Sequence, residues 1–133
     1  MKQVGFVGAF DKTDLIIYIA KILTVLGKRV LIADTTITQK AKYVVPALNP
    51  TLSYITEFEE IDIAVGFKNV EAIANYTNRS IETLEYDYLL LDIDSAESAM
   101  NFRIDRSVQN FFVTSFDTYD IRSCLLYTSD AAD

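Results

Sequence analysis

Lys12 and Thr13 are the neighbouring residues whose types and position most clearly suggest chemistry. They follow the apolar segment 2–8 and precede the apolar segment 15–26, so they lie where a strand is expected to give way to a helix. At such a junction a lysine ammonium can bind a phosphate group, and the adjacent hydroxyl can bind magnesium. The connection also contains Gly8 and Asp11 and therefore holds part of a possible phosphate-binding site.

Two carboxylates that follow apolar, strand-like runs are the other candidates for a site. Asp34 ends the run Val-Leu-Ile-Ala, and Asp92 ends the run Tyr-Leu-Leu-Leu. If a nucleotide binds, Asp92 would hold its magnesium ion together with Thr13, and Asp34 would be the possible catalytic or switch acid. If none binds, both carboxylates are polar residues at strand ends that cap the segments after them.

Hydrophobic periodicity predicts strands that alternate with helices, which is typical of parallel βαβ units. Strands are predicted over residues 2–8, 29–34, 86–92 and 110–115, helices over 11–26, 69–76, 96–106 and from 118 to 123, and β-rich pieces at 43–45, 53–56 and 61–65. The helix 11–26 is so apolar that we expect it to be buried on more than one side. The expected fold class is α/β, a three-layer parallel sheet with helices on both faces.

Three blocks, in order, resemble the ParA/MinD (SIMIBI) group of P-loop ATPases, which position DNA, division machinery and pili in bacteria, and especially its atypical TadZ-like branch. The blocks are Lys12-Thr13 with the following helix and Gly-Lys-Arg-Val-Leu-Ile-Ala-Asp34, then Tyr-Asp-Tyr-Leu-Leu-Leu-Asp92, then residues 111–123.

This resemblance implies a P-loop NTPase-like domain over residues 1–123 with ATP and magnesium as cofactors. The cofactor-binding residues that it implies are Gly8, Asp11, Lys12, Thr13 and Asp92, with Thr13 and Asp92 on the metal. It also implies a cytoplasmic protein, a possible homodimer, and protein partners in a positioning, pilus or division machinery.

The loop before Lys12 departs from the family's pattern. A P-loop has the form Gly-x-x-x-x-Gly-Lys-Ser/Thr, whereas only Ala9, Phe10 and Asp11 separate Gly8 from Lys12. A loop this short can hardly enclose a β-phosphate, and a carboxylate beside it would repel the anion by roughly 1–4 kcal/mol at about 4 Å. Asp11 is suited instead to accept the N–H of Thr13 or Asp14 and to act as a built-in anion. Lys12 would then pair with Asp11 or Asp92.

Two further departures follow the predicted strands 29–34 and 86–92. The family usually has Asp-x-Asp after the second strand, and here the second acid is replaced by Thr36. The family usually has a proline-containing turn after the later strand, where this chain has Asp92-Ile-Asp94-Ser-Ala96. The family uses the acid at the position of Thr36 near the attacking water and the switch.

Three functions are compatible with these residues. The first is a ParA/MinD-like positioning or assembly protein with a degenerate nucleotide site, a pseudo-ATPase that acts by binding partners and needs no cofactor. The second is an active ATP-binding switch that uses Lys12, Thr13 and Asp92. The third is a Rossmann-type dinucleotide-binding oxidoreductase, in which Gly8 would begin the fingerprint and Asp34 would hold a ribose.

Composition excludes several kinds of site. The chain has no histidine, so it has no histidine general base and no histidine zinc site, and its one cysteine, Cys124, cannot form an internal disulfide. The net charge of −7 argues against broad electrostatic binding to DNA. Half of the residues are hydrophobic, which predicts one packed domain. The apolar run 15–26 is too short to span a membrane, so membrane association is expected only through a missing C-terminal part.

Residues 124–133 resemble the translation of a transposon-type sequencing adapter. Segments of that kind are set aside when a fold is inferred. We therefore expect the native part to end near Ser123 and the α/β domain to be truncated at its C-terminus. Without the tail, the 19 acidic residues become 17 and the net charge changes from −7 to −5.

Overall fold

The computed structural model describes residues 1–36 and 53–114. Its strands are β1 (Lys2–Val7), β2 (Val30–Asp34), β3 (Tyr54–Phe58), β4 (Ile61–Val65), β5 (Tyr88–Ile93) and β6 (Gln109–Phe112). Its α-helices are α1 (Thr13–Val25), α2 (Val70–Tyr76) and α3 (Ala96–Asn101), and short 3₁₀ turns cover Ile81–Thr83 and Ile104–Arg106. The α/β fold class is therefore confirmed.

The six strands form one sheet in the order β3-β4-β2-β5-β1-β6. Five of them are parallel, whereas β3 runs antiparallel to β4. The sheet is therefore mostly parallel, as predicted, and departs from that prediction at its β3 edge. Only Glu59 and Glu60 separate the two strands, and a connection of two residues can form a hairpin but not a parallel crossover, which needs a dozen or more.

Side chains that alternate along the strands form two apolar clusters on opposite faces of the sheet. One cluster contains Phe6, Ile32 and Leu90 together with Ile16 and Ile17 of α1. The other contains strand side chains such as Val7, Leu31, Leu89 and Leu91 with Ile73 of α2 and Ala99 of α3. The continuous apolar runs of β2 and β5 follow from this burial on both faces.

Helix α1 is buried on one side only, which corrects the expectation of burial on several sides. Its buried residues are Thr13, Ile16, Ile17 and Ala20, while Tyr18, Val25 and Leu26 on the opposite side are 64%, 87% and 68% exposed. Gly27, with a φ of 84°, ends the helix as its sequence position predicted.

The predicted helix 96–106 is interrupted at its middle. Helix α3 ends at Asn101, Arg103 takes a left-handed φ of 54°, and a separate 3₁₀ turn follows. The Gln3 side-chain amide donates hydrogen bonds to the carbonyl oxygens of Phe102 and Arg103, at 3.1 and 3.0 Å. This contact with β1 satisfies carbonyl groups at the end of the helix and competes with its continuation.

Replacing Glu60 with glycine is expected to stabilise the protein by about 1 kcal/mol, because a side chain costs free energy in the left-handed region. Glu59 and Glu60 have φ values of 51° and 70° at the tip of the β3–β4 hairpin. Urea denaturation would measure the change. Glu82→Gly, at an exposed position without a positive φ, is the control and should give no gain. A loss of stability in Glu60→Gly would contradict the strain argument.

Several sequence predictions fall outside the described residues: the β-rich piece 43–45, the helix start at 118–123 and the adapter-like tail 124–133. Within the described residues, no helix is long and apolar enough to cross a membrane.

Candidate functional site

The carboxyl ends of three neighbouring parallel strands bring the predicted site residues together. Strand β5 lies between β1 and β2, with Phe6 and Asp34 each in register with Asp92. Lys12 lies between β1 and α1 at the same end of the sheet. Crevices outside the carboxyl ends of parallel strands are the usual ligand sites of such sheets. The structure therefore assembles Lys12, Thr13, Asp34 and Asp92, although they are far apart in the sequence.

Lys12 forms a buried ion pair with Asp92. Its Nζ lies 2.8 Å from Asp92 Oδ1 and donates a hydrogen bond to the carbonyl oxygen of Gly8 at 3.0 Å. The two residues are only 3% and 2% exposed. The ammonium group is therefore turned back onto its own loop and onto β5, and two of its donors are occupied by the chain itself.

Among the described residues, Lys12, Asp34 and Asp94 are the charged groups that act on the Asp92 carboxyl. Burial raises the pKa of the Asp92 carboxyl above its usual range, the Lys12 ammonium lowers it, and the carboxylates of Asp34 and Asp94 raise it further. Desolvation is the largest of these effects, so the ionised form of Asp92 depends strongly on Lys12 for compensation.

Helix α1 begins at Thr13 with Lys12 as its N-cap residue, so Asp11 lies one position before the N-cap for which its side chain is suited. The Asp11 carboxylate accepts a hydrogen bond from the Thr13 backbone N–H at 3.1 Å, one of the two contacts that the sequence predicted. The donor is one of the helix N-terminal groups that a bound phosphate would use. The Thr13 hydroxyl lies 3.5 Å from Asp92 Oδ2, which is long for a hydrogen bond. The residue types that hold magnesium in P-loop NTPases are thus adjacent but not tightly joined.

The Asp34 carboxylate accepts hydrogen bonds within the turn that follows β2. Its Oδ1 accepts hydrogen bonds from the Thr36 N–H at 3.1 Å and the Thr36 hydroxyl at 2.7 Å. Asp34 and Thr36 are 1% and 8% exposed. The sequence left two roles open for Asp34, a catalytic acid and a cap at the strand end. These hydrogen bonds form the cap.

Thr35 and Ser98 support the site and were not identified from the sequence. The Thr35 hydroxyl donates to the backbone oxygen of Asp92 at 2.6 Å, and the Ser98 hydroxyl donates to the backbone oxygen of Thr35 at 3.1 Å. These bonds join the ends of β2 and β5 to α3. The only local signal is the Ser95-x-x-Ser98 pair, in which Ser95 caps α3 through the Ser98 N–H.

Gly8 is required by close backbone packing. A Cβ atom at this position would lie 2.3 Å from the carbonyl oxygen of Val113, which follows β6. The Gly8 N–H donates to the Ile93 carbonyl at 3.0 Å and its own carbonyl accepts from Lys12. This glycine has a structural explanation that does not involve a phosphate.

The space left at the site is small. The cavity measures about 60 Å³ and is lined by Ala9, Phe10, Asp11, Lys12, Thr13, Thr36, Asp92 and Asp94. Small-molecule pockets usually have volumes of about 300–1,000 Å³. Thr13 and Asp92 are suitable magnesium donors, but Lys12 already neutralises Asp92. Across residues 1–36 and 53–114, no group of three or more His, Cys, Asp or Glu side chains is arranged to hold a metal.

A larger hollow of about 470 Å³ lies at the opposite, amino end of the strands and includes Lys28, Arg29, Asp62 and Tyr86. Its polar groups contact one another. The Tyr86 hydroxyl donates to Asp62 at 2.6 Å, and the Arg29 guanidinium lies 5.4 Å from the centre of the Tyr86 ring and 3.1 Å from Glu85. Burial and the Asp62 carboxylate raise the pKa of Tyr86, so the phenol stays a hydrogen-bond donor. None of the predicted site residues lines this hollow.

Comparisons with protein-family models, curated proteins and solved structures give no significant match. Functional inference for this chain therefore depends on its own residues and their geometry.

Proposed function

We propose that the chain is a ParA/MinD-like positioning or assembly protein whose nucleotide site is degenerate and which acts by binding partners. The observation that carries this proposal is the buried Lys12–Asp92 ion pair, 2.8 Å long and shared with the Gly8 carbonyl. The lysine that would bind phosphate and the carboxylate that would bind magnesium neutralise each other.

Two features support a P-loop NTPase-like fold, in which helices cover both faces of the sheet. Strand β5, with Asp92, lies directly beside β1, and Lys12 and Thr13 begin the helix that follows β1. This places the Ser/Thr and the acidic residue that hold magnesium in P-loop NTPases next to each other. The frame of such a site is present, while the loop that would enclose the phosphates is short.

The same contacts explain how the protein would work without a nucleotide. In this proposal Lys12 supplies the positive charge that compensates Asp92, and Asp11 supplies the negative charge at the start of α1. Phosphoryl transfer depends on positioning and electrostatic stabilisation of the γ-phosphate, and neither charge is directed at an incoming ligand. We infer that the domain is folded and competent for binding in one constitutive state, in the cytoplasm.

The alternative of an active ATP-binding switch has one observation in its favour, the proximity of Thr13 and Asp92. It requires Lys12 to leave Asp92 and the loop to open, for example when a partner binds. The dinucleotide-binding oxidoreductase receives no comparable support, because Thr36 occupies one carboxylate oxygen of Asp34, the residue that would hold the ribose.

We expect no saturable binding of ATP, ADP or NADH, with or without magnesium, at concentrations up to about 1 mM. Isothermal titration calorimetry on the full chain would measure it, with Lys12→Ala beside Lys28→Ala, a lysine outside the site, as matched variants. Micromolar, magnesium-dependent ATP affinity that Lys12→Ala abolishes and Lys28→Ala preserves would favour the active switch. Affinity for NADH alone would favour the oxidoreductase.

A further inference from the structure

The outward side of α1 carries a continuous apolar face. It consists of Leu15, Tyr18, Ile22, Val25 and Leu26, which are 42%, 64%, 45%, 87% and 68% exposed. A shallow, almost wholly apolar groove of about 240 Å³ runs along Tyr18, Lys21, Ile22, Val25 and Leu26. Single exposed apolar residues are ordinary, but a contiguous group along one helix is typical of an interaction surface.

The spacing along this face is that of a helix–helix seam. Leu15, Tyr18, Ile22 and Val25 follow one another at intervals of three, four and three residues. Spacings that alternate between three and four residues are those of the a and d positions in a coiled coil. There, side chains of one helix pack into the spaces between side chains of its partner. The helix is held on the sheet by Ile16, Ile17 and Ala20, so the seam is already formed before any partner binds.

We propose that the occupant of this face is α1 of a second copy of the chain, packed antiparallel about a two-fold axis near the middle of the helix. Such an axis lets one surface pair with itself. In this arrangement Leu15 of one copy meets Val25 of the other, and Tyr18 meets Ile22. Each apolar residue of the seam therefore has an apolar partner.

The charges around the seam favour the antiparallel arrangement. Asp14 is exposed at the amino end of α1, and Lys28 is exposed just beyond its carboxyl end. Antiparallel packing places each Asp14 near the Lys28 of the other copy and aligns the helix dipoles favourably, whereas parallel packing would bring like charges together. Lys21, at the middle, is neutralised within its own chain by Glu59 at 2.6 Å and lies 5.4 Å from the Phe58 ring centre.

This inference names a partner for the proposed assembly function, but it rests on residues outside the site formed by Lys12, Thr13, Asp34 and Asp92. The two proposals can therefore fail separately, because dimerisation is measured without nucleotide and nucleotide binding is measured whatever the oligomeric state.

Sedimentation equilibrium of the full chain from about 1 to about 200 µM tests the dimer. The expected result is the mass of two chains, with Val25→Glu shifting the protein to a monomer whose circular dichroism spectrum is unchanged. Met100→Glu is the matched control, because Met100 is 75% exposed on a helix outside the seam, and it should remain dimeric. A wild-type monomer throughout, or a dimer that Val25→Glu leaves intact, would overturn the proposal.

Charge reversal tests the antiparallel orientation in the same assay. Asp14→Lys and Lys28→Asp should each weaken the dimer about tenfold or more at low salt, and the double variant should restore it, because the reversed charges again face each other. Single variants without effect, or a double variant no better than the singles, would overturn this orientation.

Discussion

Replacing Lys12 with alanine is expected to lower the free energy of unfolding by about 3–5 kcal/mol at neutral pH, because it leaves a buried carboxylate without its cation. Asp92 is 2% exposed, and the Lys12 ammonium is its nearest positive charge, at 2.8 Å. Urea denaturation followed by circular dichroism would measure the loss. In a nucleotide-binding site whose lysine faces solvent, the same substitution would mainly reduce ligand affinity.

Two control variants separate the ion pair from general effects of losing a lysine. Lys21→Ala removes the partner of Glu59 in an exposed pair and should cost about 1 kcal/mol or less. Lys12→Met combined with Asp92→Leu replaces both charges with apolar side chains and should cost less than Lys12→Ala alone. A loss below about 1 kcal/mol for Lys12→Ala would indicate that Asp92 is compensated in another way.

The cost of Lys12→Ala should depend on pH in a defined direction. The folded-state pKa of Asp92 is raised above its ordinary value of 3.8, so the folded protein binds more protons than the unfolded chain between the two values. Through this window, the contribution of Asp92 to stability falls as pH rises. Without Lys12 the pKa rises further, so the penalty is largest near neutral pH and shrinks on acidification. Urea midpoints of both proteins between about pH 4.5 and 7.5 would measure this; a penalty that grows on acidification would contradict it.

Replacing Gly8 with alanine is expected to cost about 2–3 kcal/mol, because the added carbon cannot be accommodated without moving backbone. The new Cβ would lie 2.3 Å from the Val113 carbonyl oxygen, and Val113 is held to β1 by an N–H bond of 2.8 Å to the Val7 carbonyl. The substitution should therefore separate the ends of β1 and β6. Thermal and urea denaturation would measure the loss.

Gly5→Ala is the matched control for this prediction. A Cβ there would lie 2.3 Å from Asn110 Oδ1, which is the end of a side chain rather than backbone. Rotation of that side chain would give up its 2.9 Å hydrogen bond to the Ile104 carbonyl oxygen, so the cost should be about 1–2 kcal/mol, below that of Gly8→Ala. Equal losses for the two variants, or a neutral Gly8→Ala, would contradict the packing role of Gly8 and leave a ligand-binding role as its explanation.

The sequence by itself determined the elements whose patterns are local. Strands β1, β2 and β5 are apolar runs buried on both faces, and α1 has helical periodicity ended by Gly27, so each was predicted within a few residues. The carboxylates at the ends of β2 and β5 and the Asp11 contact with Thr13 were also predicted, because strand ends and helix starts are specified by neighbours in the chain.

Only the tertiary structure decided which of these elements and side chains contact one another. The sequence left Lys12 with Asp11 or Asp92 as its partner, and the choice of Asp92, 80 positions away, depends on β5 lying beside β1. The antiparallel β3, the exposed side of α1 and the contact of Gly8 with Val113 likewise depend on which elements become neighbours in the sheet. Hydrophobic patterns record whether a residue is buried, but long-range packing selects the partner of each buried side chain.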